Sequence, residues 1–329
     1  MYRTSLRLAA SLAAMLAFGV SCHAAQPSWR PTRPVAFIVG ATPGGGLDLT
    51  ARVLQQIWDG RKTIGVPVVV VNKPGAANAI AWTYLNDRGD DGQAIAIGST
   101  NLITNSIIGT HALSYRDITP LAILIDDFLA FAVRADSPLK SMKEAVERLR
   151  KDPGSVSVAI APGRGSPNHT SMGLAAKAAG VDVRRMRFIA YKSAAEALTA
   201  LLAGEVDIAS VTTSNVPGQL TAGRIRVIAV TAGTRMGGVL ANVPTLPEQG
   251  IDATFTNWRA VIGPKAMPRA AAAFWEAALA DAVQTREWAR EAERNFWVTN
   301  FRAGDAARKF MESEGVRFAA IWKEIGAPE

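Results

Sequence analysis

The sequence predicts an α/β protein of two lobes, each a largely parallel sheet covered by helices. Three observations carry this. Short β-branched runs alternate with segments of helical period, the alternation occurs twice in succession, and a mainly helical stretch follows Pro244 and Pro247.

In the first series, "VAFIV" (Val35 to Val39), "VPVVVV" (Val66 to Val71) and "AIAIG" (Ala94 to Gly98) are apolar runs of strand length. Helices are expected between them, from Leu47 to Trp58 and from Ala77 to Leu85. Strands so uniformly apolar fit a parallel sheet covered on both faces. The second series predicts a helix from Met142 to Arg150, the strand "VSVAI" (Val156 to Ile160) and a helix from about Asn168 to Ala179. It continues with "FIAY" (Phe188 to Tyr191), a helix from Ala194 to Leu202, "VDIASV" (Val206 to Val211) and "IRVIAV" (Ile225 to Val230). Ala270 to Ala282 and Ala306 to Ile325 then read as long amphipathic helices that pack back on the first lobe, making it discontinuous in sequence.

Composition narrows the function. At 329 residues with 49% hydrophobic and 19% charged, the chain is long enough for two cores. Its start reads as an export signal over residues 1–25: basic Arg3 and Arg7, an apolar core from Leu8 to Val20, then small residues in "CHAA". The apolar run "LAILIDDFLAFAV" is split by Asp126 and Asp127 and does not read as a membrane span. The protein is therefore expected to be exported, periplasmic and soluble. Cys22, the only cysteine, lies in the signal, so no disulfide or thiolate chemistry is expected of the mature chain. "GVSC" also offers Cys22 as a lipid-attachment site, although Gly19 stands where such sites usually carry a larger aliphatic residue.

Without His23, His111 and His169 remain, too few for a histidine-rich zinc site or a convincing triad; no metal, cofactor or catalytic set is expected. Lys and Arg total 36 against 28 Asp and Glu; with Arg3 and Arg7 in the signal, the surplus of eight falls to six. This balance favours anionic ligands. The cluster "RRMR" (Arg184 to Arg187) reads as a solvated turn, because no aromatic platform accompanies it, and no nucleic-acid partner is expected.

Two loops draw attention. "GATPGGGLD" (Gly40 to Asp48) and "APGRGSPNH" (Ala161 to His169) each run from a strand into a helix with glycines just before the helix start. Glycine lets a ligand approach the backbone closely, and the free N–H groups of a helix's first turn favour an anion. Asp48 or Thr42 can cap the first helix; Ser166 followed by Pro167 resembles an N-cap with proline at the first helical position. Leu47 and Asp48 after the last glycine exclude a P-loop, and Leu49 breaks a dinucleotide fingerprint. No G-x-S-x-G elbow surrounds Ser166.

Six blocks, in order and spacing, resemble the Bug or TctC-like extracytoplasmic solute-binding proteins of tripartite tricarboxylate transporters. They are "RPVAFIVGATPGGGLDLTARVL", "VVVVNKPGAANAIA", "GSPNHTSMGLAAKAAGVD", "YKSAAEALTALLAGEVDIA", "GRIRVIAVTAGTR" and "NVPTLPEQG". The resemblance runs from about Pro31 to Glu329. It implies a periplasmic binding protein-like fold, two α/β lobes with a ligand cleft between them: residues 26–130 with 235–329, and residues 131–234. The chain would cross near Phe128 to Arg134 and return near Val230 to Arg235. It implies a non-enzymatic, monomeric receptor for a small carboxylate, a di- or tricarboxylate or an aromatic acid, delivered to the membrane permease subunits of the transporter. Mapped by motif, the first lobe would contact ligand through Ala41, Thr42, Gly45, Gly46, Asn78, Ser99 and Thr100. The second would use Gly163, Gly165, Ser166, His169, Tyr191, Val211 and Thr212.

Three departures qualify the carry-over. Gly40, Ala41 and Thr42 replace the usual Pro-Phe-Ala; Val211 stands where an aspartate often pairs a ligand ammonium; Arg259 and Ala260 in "NWRAV" replace an aromatic residue and glycine. Val211 disfavours acidic amino acids as ligands. Arg259 is expected either at the surface, the reading preferred, or as a clamp on a second carboxylate. A receptor read by a signalling partner is the second functional reading, and an α/β hydrolase using Ser166 and His169 the third.

Overall fold

The computed structural model describes residues 29–89 and 91–326; the signal segment and Cys22 lie outside the described residues. In chain order the first lobe begins with β1 (Val35–Val39), α1 (Gly46–Arg61), β2 (Val68–Asn72), α2 (Ala79–Asp87), β3 (Ala94–Ser99), α3 (Asn101–Ile107) and β4 (Ile118–Asp127). The second sheet and its cover follow: β5 (Leu129–Arg134), α4 (Met142–Lys151), β6 (Ser157–Ile160), α5 (Pro167–Ala178), β7 (Arg187–Ala190), α6 (Ala194–Ala203), β8 (Ile208–Thr212), α7 (Pro217–Thr221) and β9 (Ile225–Val230). The chain then returns through β10 (Asn257–Pro264), α8 (Arg269–Val283), α9 (Arg286–Arg294), β11 (Val298–Ala303) and α10 (Gly304–Ile325).

All five residues of β1 are buried, which a strand achieves only with cover on both faces. Val35, Phe37 and Val39 join Leu54, Ile57 and Trp58 of α1 and Trp275 and Leu279 of α8. Ala36 and Ile38 belong to the other layer, with Trp82 and Leu85 of α2 and Phe318 of α10. The buried indoles are satisfied as well as packed: Trp58 donates to the Ala278 carbonyl (3.1 Å), Trp82 to Ile97 (2.9 Å) and Trp275 to Gly92 (2.9 Å). Several helices start where the sequence offers a cap. Ser141, Ser166, Ser193 and Thr285 each accept the N–H three residues on, opening α4, α5, α6 and α9.

The first sheet has the order β11-β4-β10-β3-β1-β2 and the second β7-β6-β8-β5-β9. Within each, one central strand is flanked by two parallel neighbours: β1 between β3 and β2, and β6 between β7 and β8. This arrangement puts the β1–α1 and β6–α5 turns at topological switch points, where open α/β sheets hold ligands. The remaining pairs are antiparallel: β10 with β3 and β4, β11 with β4, and β5 with β8 and β9. The sequence reading assigns no strand to β4, β5, β10 or β11 and no helix to α3, α7 or α9. A pairing such as Ala260 with Ile123 leaves no short-range signature.

Only Phe128 separates β4 in one sheet from β5 in the other. The returning segment lies beside it: Thr231 Oγ1 accepts the Leu129 N–H (3.0 Å) and donates to the Phe255 carbonyl (2.8 Å). One apolar cluster continues from Ile38 and Trp82 through Phe131 to Val158 and Met172, with Phe318, Trp322 and Ile325 of α10 in it. Thus α10 packs against both lobes. Among the described residues no helix is long and apolar enough to cross a membrane.

Candidate functional site

The β1–α1 turn is built by its side chains to expose its backbone. Gly44 takes a left-handed conformation (φ 80°), and Gly45 is the N-cap of α1 without a side-chain cap. Neither Asp48 nor Thr42 occupies the cap position, contrary to expectation. Asp48 instead sits in the first turn and reaches back: Oδ2 accepts from Gly44 N (2.8 Å) and Arg52 Nε (2.8 Å), and Oδ1 from Asn72 Nδ2 (2.9 Å). Asn72 also donates to the Ala41 carbonyl (2.9 Å). Asp48 therefore braces the turn, while Gly46 and Leu47 start the helix with N–H groups that have no intrahelical acceptor.

Burial pushes the Asp48 carboxyl up, but Arg52, the Gly44 N–H and Asn72 more than offset this and leave it below the ordinary range. A lowered carboxyl stabilises the fold above its ordinary pKa and loses that contribution as pH falls through the lowered value. Asp48→Asn is expected to cost about 2 kcal/mol at pH 7 in urea unfolding, with the two proteins converging in strong acid. Equal stability at pH 7 would refute the bracing role.

The β6–α5 turn has the same plan with different parts. Gly163 (φ 110°) and Gly165 (φ 79°) are left-handed, Ser166 caps α5 by accepting the His169 N–H (3.3 Å), and Pro167 opens the helix. His169 Nδ1 accepts the Gly165 N–H (3.0 Å), and its ring packs 4.3 Å from Phe188 and 5.4 Å from Trp322. Burial, assisted by the Arg164 cation, pulls the imidazole down to about 4. The neutral ring has an occupied Nδ1, and Ser166 Oγ is engaged as a cap. The pair is thus wired as a helix start, which leaves the hydrolase reading without its general base.

The other mapped residues sort by lobe. Asn78, itself left-handed (φ 75°), comes so close to Gly40 that a Cβ there would stand 2.5 Å from Asn78 Cβ. Its amide lies 3.5 Å from Ser99 Oγ and 3.5 Å from Asn101 Oδ1, and Thr100 donates to Asn257 (3.1 Å). Behind them α3 presents a polar row that the sequence reading missed: Asn101 Nδ2, Thr104 Oγ1 and Asn105 Oδ1 are buried without a partner among the described residues. In the second lobe Tyr191 is half-buried just after β7, and Thr212 closes β8 with a hydrogen bond to Asn215 Oδ1 (2.6 Å). Val211 is buried in the apolar layer with Ala130 and Val230 and takes no part in the polar rim. The two lobes meet at Gly165, where a Cβ would lie 2.1 Å from Ile108 Cδ1 at the end of α3.

Arg259 corrects the sequence reading. It is neither at the surface nor a free clamp: only 1% exposed, it is ion-paired with Asp127, which is fully buried. Its Nη1 donates to Thr50 Oγ1 (2.7 Å), and its guanidinium lies 5.2 Å from the Trp297 ring. Burial pushes the Asp127 carboxyl above the ordinary range and pulls the guanidinium down, and each charge opposes the shift of the other. The signal was present in the acids interrupting "LAILIDDFLAFAV", but the arginine that pairs with Asp127 lies 132 positions away.

Each lobe thus carries one helix N-terminus approached through glycines, a backbone feature whose open amides favour an anion. Residues 50–327 match the sequence profile of the tripartite tricarboxylate transporter family receptor. The chain belongs to this family. The matched span begins at Thr50, just past the first glycine-rich turn, and contains the second. Protein BugT of Bordetella pertussis is similar at 26% identity over 305 residues, 90% of each chain. The solved periplasmic binding protein BugD superposes with a TM-score of 0.80 at 26% identity, over 90% of this chain and 99% of its own. Two structures from Rhodopseudomonas palustris share the fold at 24% identity. MatC with bound malate gives a TM-score of 0.78 over 88% of this chain and 99% of its own, and Rpa4515 with adipate gives 0.80 over 91% and 99%.

Proposed function

We propose that the protein is a periplasmic, monomeric solute-binding receptor for a small carboxylate, which it hands to the permease subunits of a tripartite tricarboxylate transporter. The observation that carries this reading is the pair of glycine-rich turns at the N-termini of α1 and α5, one on each lobe. A carboxylate between them meets two positive helix ends at once, and a closed state that makes both contacts is favoured over an open state that makes one. The first-turn amides that the turns leave open, those of Gly46 and Leu47 on α1 and Asn168 on α5, form the array, with Asn78, Ser99, Tyr191 and Thr212 at its edges. Malate and adipate in the two R. palustris relatives support a dicarboxylate. The apolar setting of Val211 offers no counter-charge to an ammonium, so dicarboxylates are favoured over the corresponding acidic amino acids.

The test is thermal unfolding of refolded protein with mono-, di- and tricarboxylates, aromatic acids, aspartate and glutamate. A ligand at 100 times its Kd adds about 2.7 kcal/mol to folded-state stability, a readily visible shift. The expected result is a shift with one carboxylate class and little with aspartate or glutamate. Refolded protein that responds to none of them would count against the receptor reading.

A further inference from the structure

The ion pair is almost wholly shut off from solvent, yet it is hydrogen-bonded to elements of both lobes. On one side, Arg259 Nη1 holds Thr50 Oγ1, which in turn donates to the Gly46 carbonyl (3.0 Å) in the first turn of α1. The guanidinium backs that turn so closely that a Cβ on Gly46 would stand 2.6 Å from Nη2. On the other side, Asp127 Oδ1 accepts from Thr213 Oγ1 (3.4 Å), and Thr213 N–H donates to the Phe128 carbonyl (2.9 Å). Thr213 directly follows Thr212, at the end of β8 in the second lobe. Asp127 itself is the last residue of the first sheet before the chain crosses. A single pair of charges thus joins α1, β10, the crossing and the β8 turn.

We propose that Asp127 and Arg259 are positioning residues for the ligand: they fix the amide array of the first lobe relative to the Thr212–Thr213 turn of the second. The inference rests on the receptor reading of the cleft. Binding affinity then depends on the pair because donors not held in register must be ordered when ligand binds, at the ligand's expense. The fork of Arg259 matters as well as its charge. One nitrogen holds Asp127 and another Thr50, a division that a lysine ammonium on a flexible stem cannot reproduce.

The test compares wild type with Asp127→Asn/Arg259→Met, which removes both charges together, and with Arg259→Lys, which retains the charge balance should the double variant fold poorly. Amide hydrogen exchange of residues 44–50 and 211–215 is read without ligand, and affinity is titrated with malate and adipate. Expected are exchange accelerated in both segments and carboxylate affinity weakened about tenfold, with little change in melting temperature for Arg259→Lys. Unchanged exchange, acceleration confined to one segment, or wild-type affinity in the variants would overturn the proposal. If wild type binds neither probe, the receptor reading for dicarboxylates fails, while the exchange data still decide whether the pair positions the two turns.

Discussion

Replacing Arg259 by methionine is expected to cost about 3–5 kcal/mol of unfolding free energy at neutral pH, because it leaves Asp127 buried without its counter-charge. Methionine fills much of the vacated volume, so lost packing is the smaller part. The larger part is the work of keeping Asp127 neutral inside the fold while the unfolded chain ionises it above about 3.8. The cost should therefore shrink as pH falls toward that value and be greatest at pH 7 and above. Urea unfolding at pH 7.5 and pH 4 measures both. The Asp127→Asn/Arg259→Met variant should recover most of the loss at pH 7.5, since neither charge is then orphaned. If the single and double variants lose equal stability at every pH, the pair's electrostatics do not matter to the fold and packing alone is at work.

His169 provides the second large effect, with a dependence on pH that can be isolated from other groups. Its imidazole titrates near 4 in the fold against 6.5 ordinarily, so between these values the unfolded chain binds a proton that the folded chain does not. Wild type loses stability as pH falls through this window, by about 3 kcal/mol in total from this residue. His169→Asn should remove that slope, because Asn Oδ1 can accept the Gly165 N–H without titrating. Burial of Asp127 contributes with the opposite sign over part of the same range, as a raised carboxyl favours the fold more in acid. The informative quantity is accordingly the difference between wild type and variant. A difference that does not change from pH 7 to pH 4 would mean that the ring titrates alike in the folded and unfolded chain, so that burial does not depress it.

Both predictions concern residues whose roles were legible to different degrees. The β1–α1 and β6–α5 turns could be read directly because their signals are local: an apolar run, glycines with no competing motif, and a cap-proline pair at Ser166 and Pro167. The sequence reading starts α1 at Leu47, one residue after the observed Gly46, and assigns its cap to Asp48 or Thr42. Asp48 has the right chemistry for a cap, but Gly45 takes that position, leaving Asp48 to reach back to Gly44 and across to Asn72. His169 could be read as a helix-start residue, yet its depressed titration depends on Phe188 and on Trp322, which comes from the last helix.

The sequence by itself determined the α/β class, the two successive sheets, the parallel strands and their helices, and the two glycine turns. These follow from residues within about a dozen positions of one another, where periodicity, capping and the steric freedom of glycine operate. Tertiary structure alone decided the antiparallel strands β4, β5, β10 and β11, the bridging of both lobes by α10, and the polar row on α3. It also decided the fate of Arg259. An arginine beside a tryptophan in "NWRAV" is compatible with surface, clamp or core. The choice was made by a carboxylate at the end of β4 and a hydroxyl in α1, because a guanidinium can leave water only where distant parts of the chain bring it a counter-charge and acceptors.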